Sequence, residues 1–211
     1  MNKTLENKEL IVERVRFGDS WNKSMSFDLK LDNFCVQCET KNPYLPWSIA
    51  HVQEQLGSHY QINIKDALNL LSNGPIQTLF YKYWLKKYSQ NDENPALIPE
   101  LCGFRKKFYY YKFKDQIYSS RDEIVKRYKK DKILPINFRF DFFAYNAKKE
   151  KAILIDLDET ESNKSDLQQF IDEMKDKEAK QLKIPVIIFT ATKIEENIES
   201  CFLLIDDVLN N

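Results

Sequence analysis

Segments with a two-residue apolar period alternate along this chain with segments of helical period, and the breaks between them are well marked. Residues 8–17 and 24–31 read as two short strands parted by Gly18-Asp19-Ser20. Residues 46–56 and 63–72 read as helices, the first with Ile49, Val52 and Leu56 at helical spacing just after Trp47. Ser72-Asn73-Gly74-Pro75 closes this part. Ile76, Leu79, Phe80, Tyr83 and Trp84 then mark a helix running to Tyr88, followed by a polar loop from Asn91 to Pro95. Phe108 to Phe113 is an aromatic strand, and Ser120 to Lys130 a short helix with Ser120 as cap and Glu123 three residues on. Ser165 opens a capped helix to about Lys183, with Leu167, Phe170, Ile171 and Met174 on its apolar side. Ile184 to Thr190 is nearly all apolar, which predicts a strand buried on both faces. Thr192-Lys193-Ile194-Glu195 predicts the cap of a final helix to about Leu209. The order of elements after Gly74 predicts an α/β unit with a mixed sheet.

Between these elements lies a hairpin rich in carboxylates. Phe138–Phe143 and Ala152–Leu157 have strand composition, and Asn146–Glu150 reads as their turn. A turn centred near Lys148 sets Asp141 opposite Asp156, and alternation along the strand puts Asp158 on the same face as Asp156. Two carboxylates about 4 Å apart repel by about 4 kcal/mol at an effective dielectric near 20. Such a group calls for a cation, a proton or solvent, and grouped hard oxygens suit Mg2+ or Mn2+.

Composition adds a compartment and a charge asymmetry. The chain has 211 residues, with 32 cationic and 32 acidic side chains. Residues 104–133 nonetheless carry about seven more cations than acids, and residues 150–211 about eight more acids than cations. The charged stretch from Met1 to Glu13 predicts no secretory signal, and no apolar run is long enough to span a bilayer. Four irregularly spaced cysteines predict no disulfide framework, so a cytoplasmic setting is expected. Cys35-Val36-Gln37-Cys38 has the spacing of half a zinc site, with His51 and His59 after it. The gap between the histidines is too long for a standard finger, so buried or free thiols are expected there rather than structural Zn2+. Cys102 and Cys201 read as core residues.

Residues 74–209, about two thirds of the chain, resemble the PD-(D/E)xK nucleases, in the branch of the very-short-patch-repair endonucleases. The likeness rests on ordered blocks. Gly74-Pro75-Ile76-Gln77 is similar to the family's opening helix, with Gln77 where a glutamate usually stands. Phe140-Asp141-Phe142 and Ile155-Asp156-Leu157-Asp158 are similar to its two acidic strands, and Asp172-Glu173-Met174-Lys175 to the helix that follows. The usual lysine of the second strand is replaced near Asp158, and the histidines common in this branch are missing. The resemblance implies a restriction-endonuclease-like mixed sheet flanked by helices over residues 74–211; residues 1–73 are expected to form a small α+β extension that recognises substrate or a partner. It implies metal-dependent hydrolysis of phosphodiester bonds, with DNA favoured over RNA, as a homodimer or within a larger defence or repair complex. Asp141, Asp156 and Asp158 would hold Mg2+ or Mn2+; Lys175, ahead of Lys177 and Lys180, would replace the displaced lysine, and Gln77 would orient water. The rival readings are a non-catalytic nucleic-acid-binding or assembly protein on the same fold, and a protein–protein adaptor or inhibitor.

Phe104 to Lys114 interleaves aromatic and cationic residues. Arg105, Lys106, Lys107, Lys112 and Lys114, with Arg127 on the next helix, fit a phosphate-binding surface with rings for unpaired bases. An amphipathic strand with one aromatic and one lysine-rich face fits the same residues.

Overall fold

The computed structural model describes residues 11–16, 26–31, 34–39, 47–60, 63, 65–66, 74–102, 108–114, 116–136, 139–158 and 164–211. Among these the chain is mixed α/β. Strands β1 (Ile11–Arg16), β2 (Ser26–Leu31) and β3 (Phe34–Glu39) form an antiparallel sheet in that order. The third strand contains Cys35 and Cys38, opposite Lys30 and Phe27 of β2. Helix α1 spans Ile49–Tyr60 and α2 spans Pro75–Tyr88. Of the helix expected at 63–72, residues 63, 65 and 66 are described, and 65–66 are helical while 63 is not.

The central sheet has four strands in the order β10-β9-β8-β4, where β4 is Ile98–Cys102, β8 Arg139–Asn146, β9 Lys151–Asp158 and β10 Val186–Thr190. β4, β8 and β9 pair antiparallel, while β10 joins β9 in parallel, so the sheet is mixed. The parallel pair is connected by α4 (Asp166–Leu182), and α5 (Ala191–Asn210) follows β10. A small third sheet, ordered β6-β5-β7, contains β5 (Phe108–Tyr111), β6 (Gln116–Tyr118) and β7 (Ile133–Ile136), with the one-turn helix α3 (Arg121–Val125) between the last two.

The hairpin turn falls where the polar run predicts it. Asn146 starts it: its Oδ1 accepts from Lys148 N at 3.1 Å, and its carbonyl accepts from Lys149 N at 3.2 Å. Ala152 to Ile155 in β9 and Phe142 to Tyr145 in β8 are all buried, because helices and loops cover both faces of these central strands. β10 corrects the expectation of burial on both faces. It is the edge strand, and Ile188 is 62% exposed. A short apolar run reads alike in a central and an edge strand, because its composition does not say how many neighbours it has.

An aromatic cluster fixes α2 and α5 on the sheet. Phe202 of α5 lies 4.8 Å, centroid to centroid, from both Phe80 and Tyr83 of α2, and Phe80 lies 5.5 Å from Phe142 and 6.0 Å from Phe189. Removing such a buried ring costs about 3–5 kcal/mol. Lys87 Nζ pairs with Asp206 at 2.7 Å at the far end of these helices, and the Tyr88 hydroxyl donates to the same carboxylate. The cap of α5 is Thr190, whose Oγ1 accepts from Lys193 N at 3.3 Å, rather than Thr192. Asn197 breaks the helical dihedrals inside α5, and its Oδ1 re-caps the helix by accepting from Ser200 N at 3.0 Å. Ser165 caps α4 as expected, accepting from Gln168 N. Ser120 sits at the cap position of α3 but makes no side-chain cap, and the helix stops at Val125 rather than Lys130. Beyond it Tyr128 turns in and stacks on Tyr111 at 4.1 Å.

The residues just before α1 are tied to the same core. Trp47, Ile49 and Val52 belong to one buried cluster with α2 and the central sheet. The first turn of α1 donates to the 91–95 loop: Ile49 N to Asn94 O at 2.9 Å and Ala50 N to Asp92 O at 2.8 Å. Trp47 has φ of 63°, which costs a bulky residue about 1–2 kcal/mol. It is held there by Ala96 N donating to its carbonyl at 2.7 Å and by its own N–H donating to His51 Nδ1 at 3.1 Å. Cys201 is buried in the core, as expected, while the side chain of Cys102 lies outside the described residues. Among the described residues no helix is long and apolar enough to cross a membrane.

His51 gives the fold a pH dependence. Its Nδ1 accepts a hydrogen bond and so must be unprotonated, and burial pushes its pKa below 6.5. With the folded pKa below the unfolded one, the unfolded state binds more protons between them. This contribution is complete above pH 6.5 and is lost as pH falls through the folded value. Urea titrations from pH 7.5 to 5 should show wild type losing stability more steeply than His51→Gln, whose side chain keeps an acceptor without titrating. Parallel losses would mean that His51 does not carry the dependence.

Candidate functional site

The ladder between β8 and β9 runs in regular register from Asn146↔Lys151 to Phe142↔Ile155. One step further, at Asp141 and Asp156, carboxylates join the strands. Asp141 Oδ2 accepts from the backbone N–H of Leu157 at 2.6 Å, and Asp156 Oδ1 faces the N–H of Asp141 at 3.4 Å. Each aspartate therefore bonds to the main chain of the opposite strand near the end of the ladder, where the two side chains come together.

Two helices bring polar groups to this pair. On α2, Gln77 lies three and four residues before Phe80 and Tyr81, so it extends the buried stripe of that helix by one turn. Its Nε2 donates to Asp141 Oδ1 at 2.5 Å. On α4, Lys175 donates to both oxygens of Asp156, at 2.9 and 2.8 Å, and its ammonium lies 5.6 Å from the centroid of the Phe140 ring. The side chains of Lys175 and Asp156 are only 15% and 16% exposed, so solvent screens their attraction little. Two strands of one hairpin and two helices thus meet through Gln77, Asp141, Asp156 and Lys175. Lys180 instead pairs with Asp176 on the exposed side of α4, and Lys177 is exposed.

Asp158 is engaged separately. Lys164 Nζ lies 3.0 Å from Asp158 Oδ2 and 2.8 Å from Asp172 Oδ2, and Gln168 Nε2 donates to the other Asp172 oxygen at 2.9 Å. The hydrogen bonds that Lys164 donates to Asp172 and Asp158 push its ammonium well above the usual lysine range. Among the described residues no three His, Cys, Asp or Glu side chains form a group that could hold a metal ion. What lies together is a pair, Asp141 and Asp156, with a lysine and an amide. Magnesium asks no more of a protein than this, since it is commonly held by one or two carboxylates and keeps several waters.

Two residues near the pair escape a reading of the sequence. Ile188 stands opposite Asp156 on β10, which places the exposed edge-strand residue beside the carboxylates. Lys164 lies in a polar stretch with no periodicity, and only the return of α4 toward the end of β9 gives it two partners. Of the basic residues expected to meet phosphate, Lys112, Lys114 and Arg127 are exposed on and beside the small sheet, while Arg105, Lys106 and Lys107 lie outside the described residues.

Comparison with protein-family models, with curated proteins and with solved structures gives no match to this chain.

The Lys175–Asp156 pair predicts a measurable coupling. Either partner alone is a poorly solvated charge, so Lys175→Met and Asp156→Asn should each lower stability by about 1–3 kcal/mol in urea unfolding. The double variant should lose less than the sum, by about 1 kcal/mol or more. Strict additivity would mean that the pair does not interact in solution.

Proposed function

We propose that the protein is a metal-dependent phosphodiesterase of the PD-(D/E)xK kind, acting on DNA. The observation that supports it is the convergence of Asp141, Asp156, Lys175 and Gln77 from two strands and two helices at one end of the central hairpin. Asp141 and Asp156 are the residues to hold Mg2+ or Mn2+, while Asp158, further along the same strand, is paired with Lys164. The bound cation supplies charge that polarises the scissile phosphate and makes water a stronger nucleophile.

The protein's own groups do the positioning. The backbone N–H of Leu157 and the Gln77 amide hold one oxygen each of Asp141, so this carboxylate is oriented before any ligand arrives. Lys175 brings a cation to Asp156, which limits the repulsion between the paired carboxylates, and the same ammonium can donate to a phosphate oxygen as charge builds there. Phe140 beside Lys175 lowers the local polarity and strengthens that donation.

One observation favours a second reading. Both oxygens of Asp156 bond to Lys175, and both of Asp141 bond to protein groups, so the network is satisfied as it stands. A fold that has kept the constellation for stability, and binds nucleic acid without cutting it, has the same hydrogen bonds.

Incubation of single- and double-stranded DNA and RNA with Mn2+ or Mg2+ separates the two. Wild type should cut DNA, Asp156→Ala should abolish the cut, and Lys175→Met should slow it by about 10²–10³-fold. Binding without cleavage by wild type would favour the second reading. Equal cleavage by wild type and Asp156→Ala would overturn the site.

A further inference from the structure

The small sheet carries a cavity of about 390 Å³ that the hairpin site does not use. Its apolar wall includes Phe108 and Tyr109 of β5 and Pro135 of β7, and its charged lining is Arg121 at the start of α3 and Lys130 in the turn before β7. Among the described residues none in its lining is acidic. The volume is in the range of small-ligand pockets, and apolar walls with two cations suit a flat aromatic group bearing a negative charge. A nucleotide has both parts, a base for the ring-lined wall and a phosphate for the cations.

The surroundings favour a strand over a single small molecule. Lys112, Lys114, Arg127 and Lys129 are exposed on the same small sheet and its connections, so positive charge continues beyond one ligand. Lys132 lies 4.3 Å from the centroid of the Phe113 ring, which is itself 64% exposed, and Lys114 lies 5.4 Å from that of Tyr128. Cations beside accessible rings form a surface on which phosphates and unpaired bases can both rest. The small sheet also touches the helix that carries Lys175. Phe108 in the cavity wall meets Phe170 of α4 edge-on at 5.8 Å. Phe170 precedes Lys175 by five residues, about 7.5 Å along the helix.

We infer that the cavity between β5, β7 and α3 receives one unpaired nucleotide of a single-stranded nucleic acid, with its phosphate on Arg121 and Lys130. The inference rests on the phosphodiester reading above and extends it: the small sheet, which packs on α4, would hold the strand while the hairpin site acts on it.

The test is fluorescence anisotropy of a labelled oligothymidylate in EDTA, where no cleavage occurs, with wild type and Arg121→Ala/Lys130→Ala. Both replaced side chains are exposed, so the fold should be kept, which circular dichroism checks. The double variant should bind at least about tenfold more weakly, and its log–log salt slope should fall by about 0.7, the amount for one lost phosphate contact. An end-closed duplex should compete poorly. Absence of binding by wild type, unchanged affinity in the variant, equal competition by duplex, or tighter binding of thymidine monophosphate than of the oligomer would each overturn the inference. Cleavage with Mg2+ is read in parallel. Cavity-dependent binding without cleavage supports the cavity and defeats only the hydrolase reading, whereas cleavage with cavity-independent binding defeats only the cavity.

Discussion

Two acidic side chains brought together at the end of a buried hairpin must be held in place, and much of the architecture around the central sheet serves that need. Asp141 and Asp156 lie just past the last regular rungs of the β8–β9 ladder, each bonded to the main chain of the other strand. At an effective dielectric near 20, bare charges this close would repel by a few kcal/mol. Lys175 offsets that repulsion from one side and Gln77 fixes the geometry from the other. Moving either helix relative to the sheet would undo its own contact. The aromatic contacts of Phe80, Phe142 and Phe202 are therefore as much a part of the site as its polar atoms, because they set where α2 lies and so where Gln77 reaches.

Burial makes these polar bonds matter. Lys175 and Asp156 are mostly shielded, so a charge left alone there would be costly. Asp158, Lys164 and Asp172 form a more open network whose main effect is to tie the start of α4 to the end of β9. The two networks differ in kind: the inner one orients a carboxylate pair, and the outer one secures the connection between β9 and α4. Ile188, exposed beside the inner network, gives the site an apolar border on the β10 side.

The hairpin was legible in the sequence because its signals are local. Apolar alternation, an Asn-initiated turn and the two-residue period together fix the register that sets Asp141 opposite Asp156. The helix caps are half legible: Ser165 stands out in the sequence, but Thr190 competes with Thr192, and only the end of β10 decides between them. Sheet order was not legible, since Val186–Thr190 has the composition of an interior strand and lies at the edge. β3 was hidden by its cysteines, whose spacing draws attention to metal chemistry rather than to pairing with β2. Lys164 could not be found at all, because its partners lie on two elements that only tertiary structure brings together.

The central claim, that Asp141 and Asp156 form a divalent-metal site, is tested most directly by calorimetric titration of wild type and Asp141→Asn with Mn2+. A saturable heat in wild type that disappears in the variant, with both proteins folded, is the predicted result. No heat in wild type, or the same isotherm in both, would contradict it and leave the paired aspartates as a structural device.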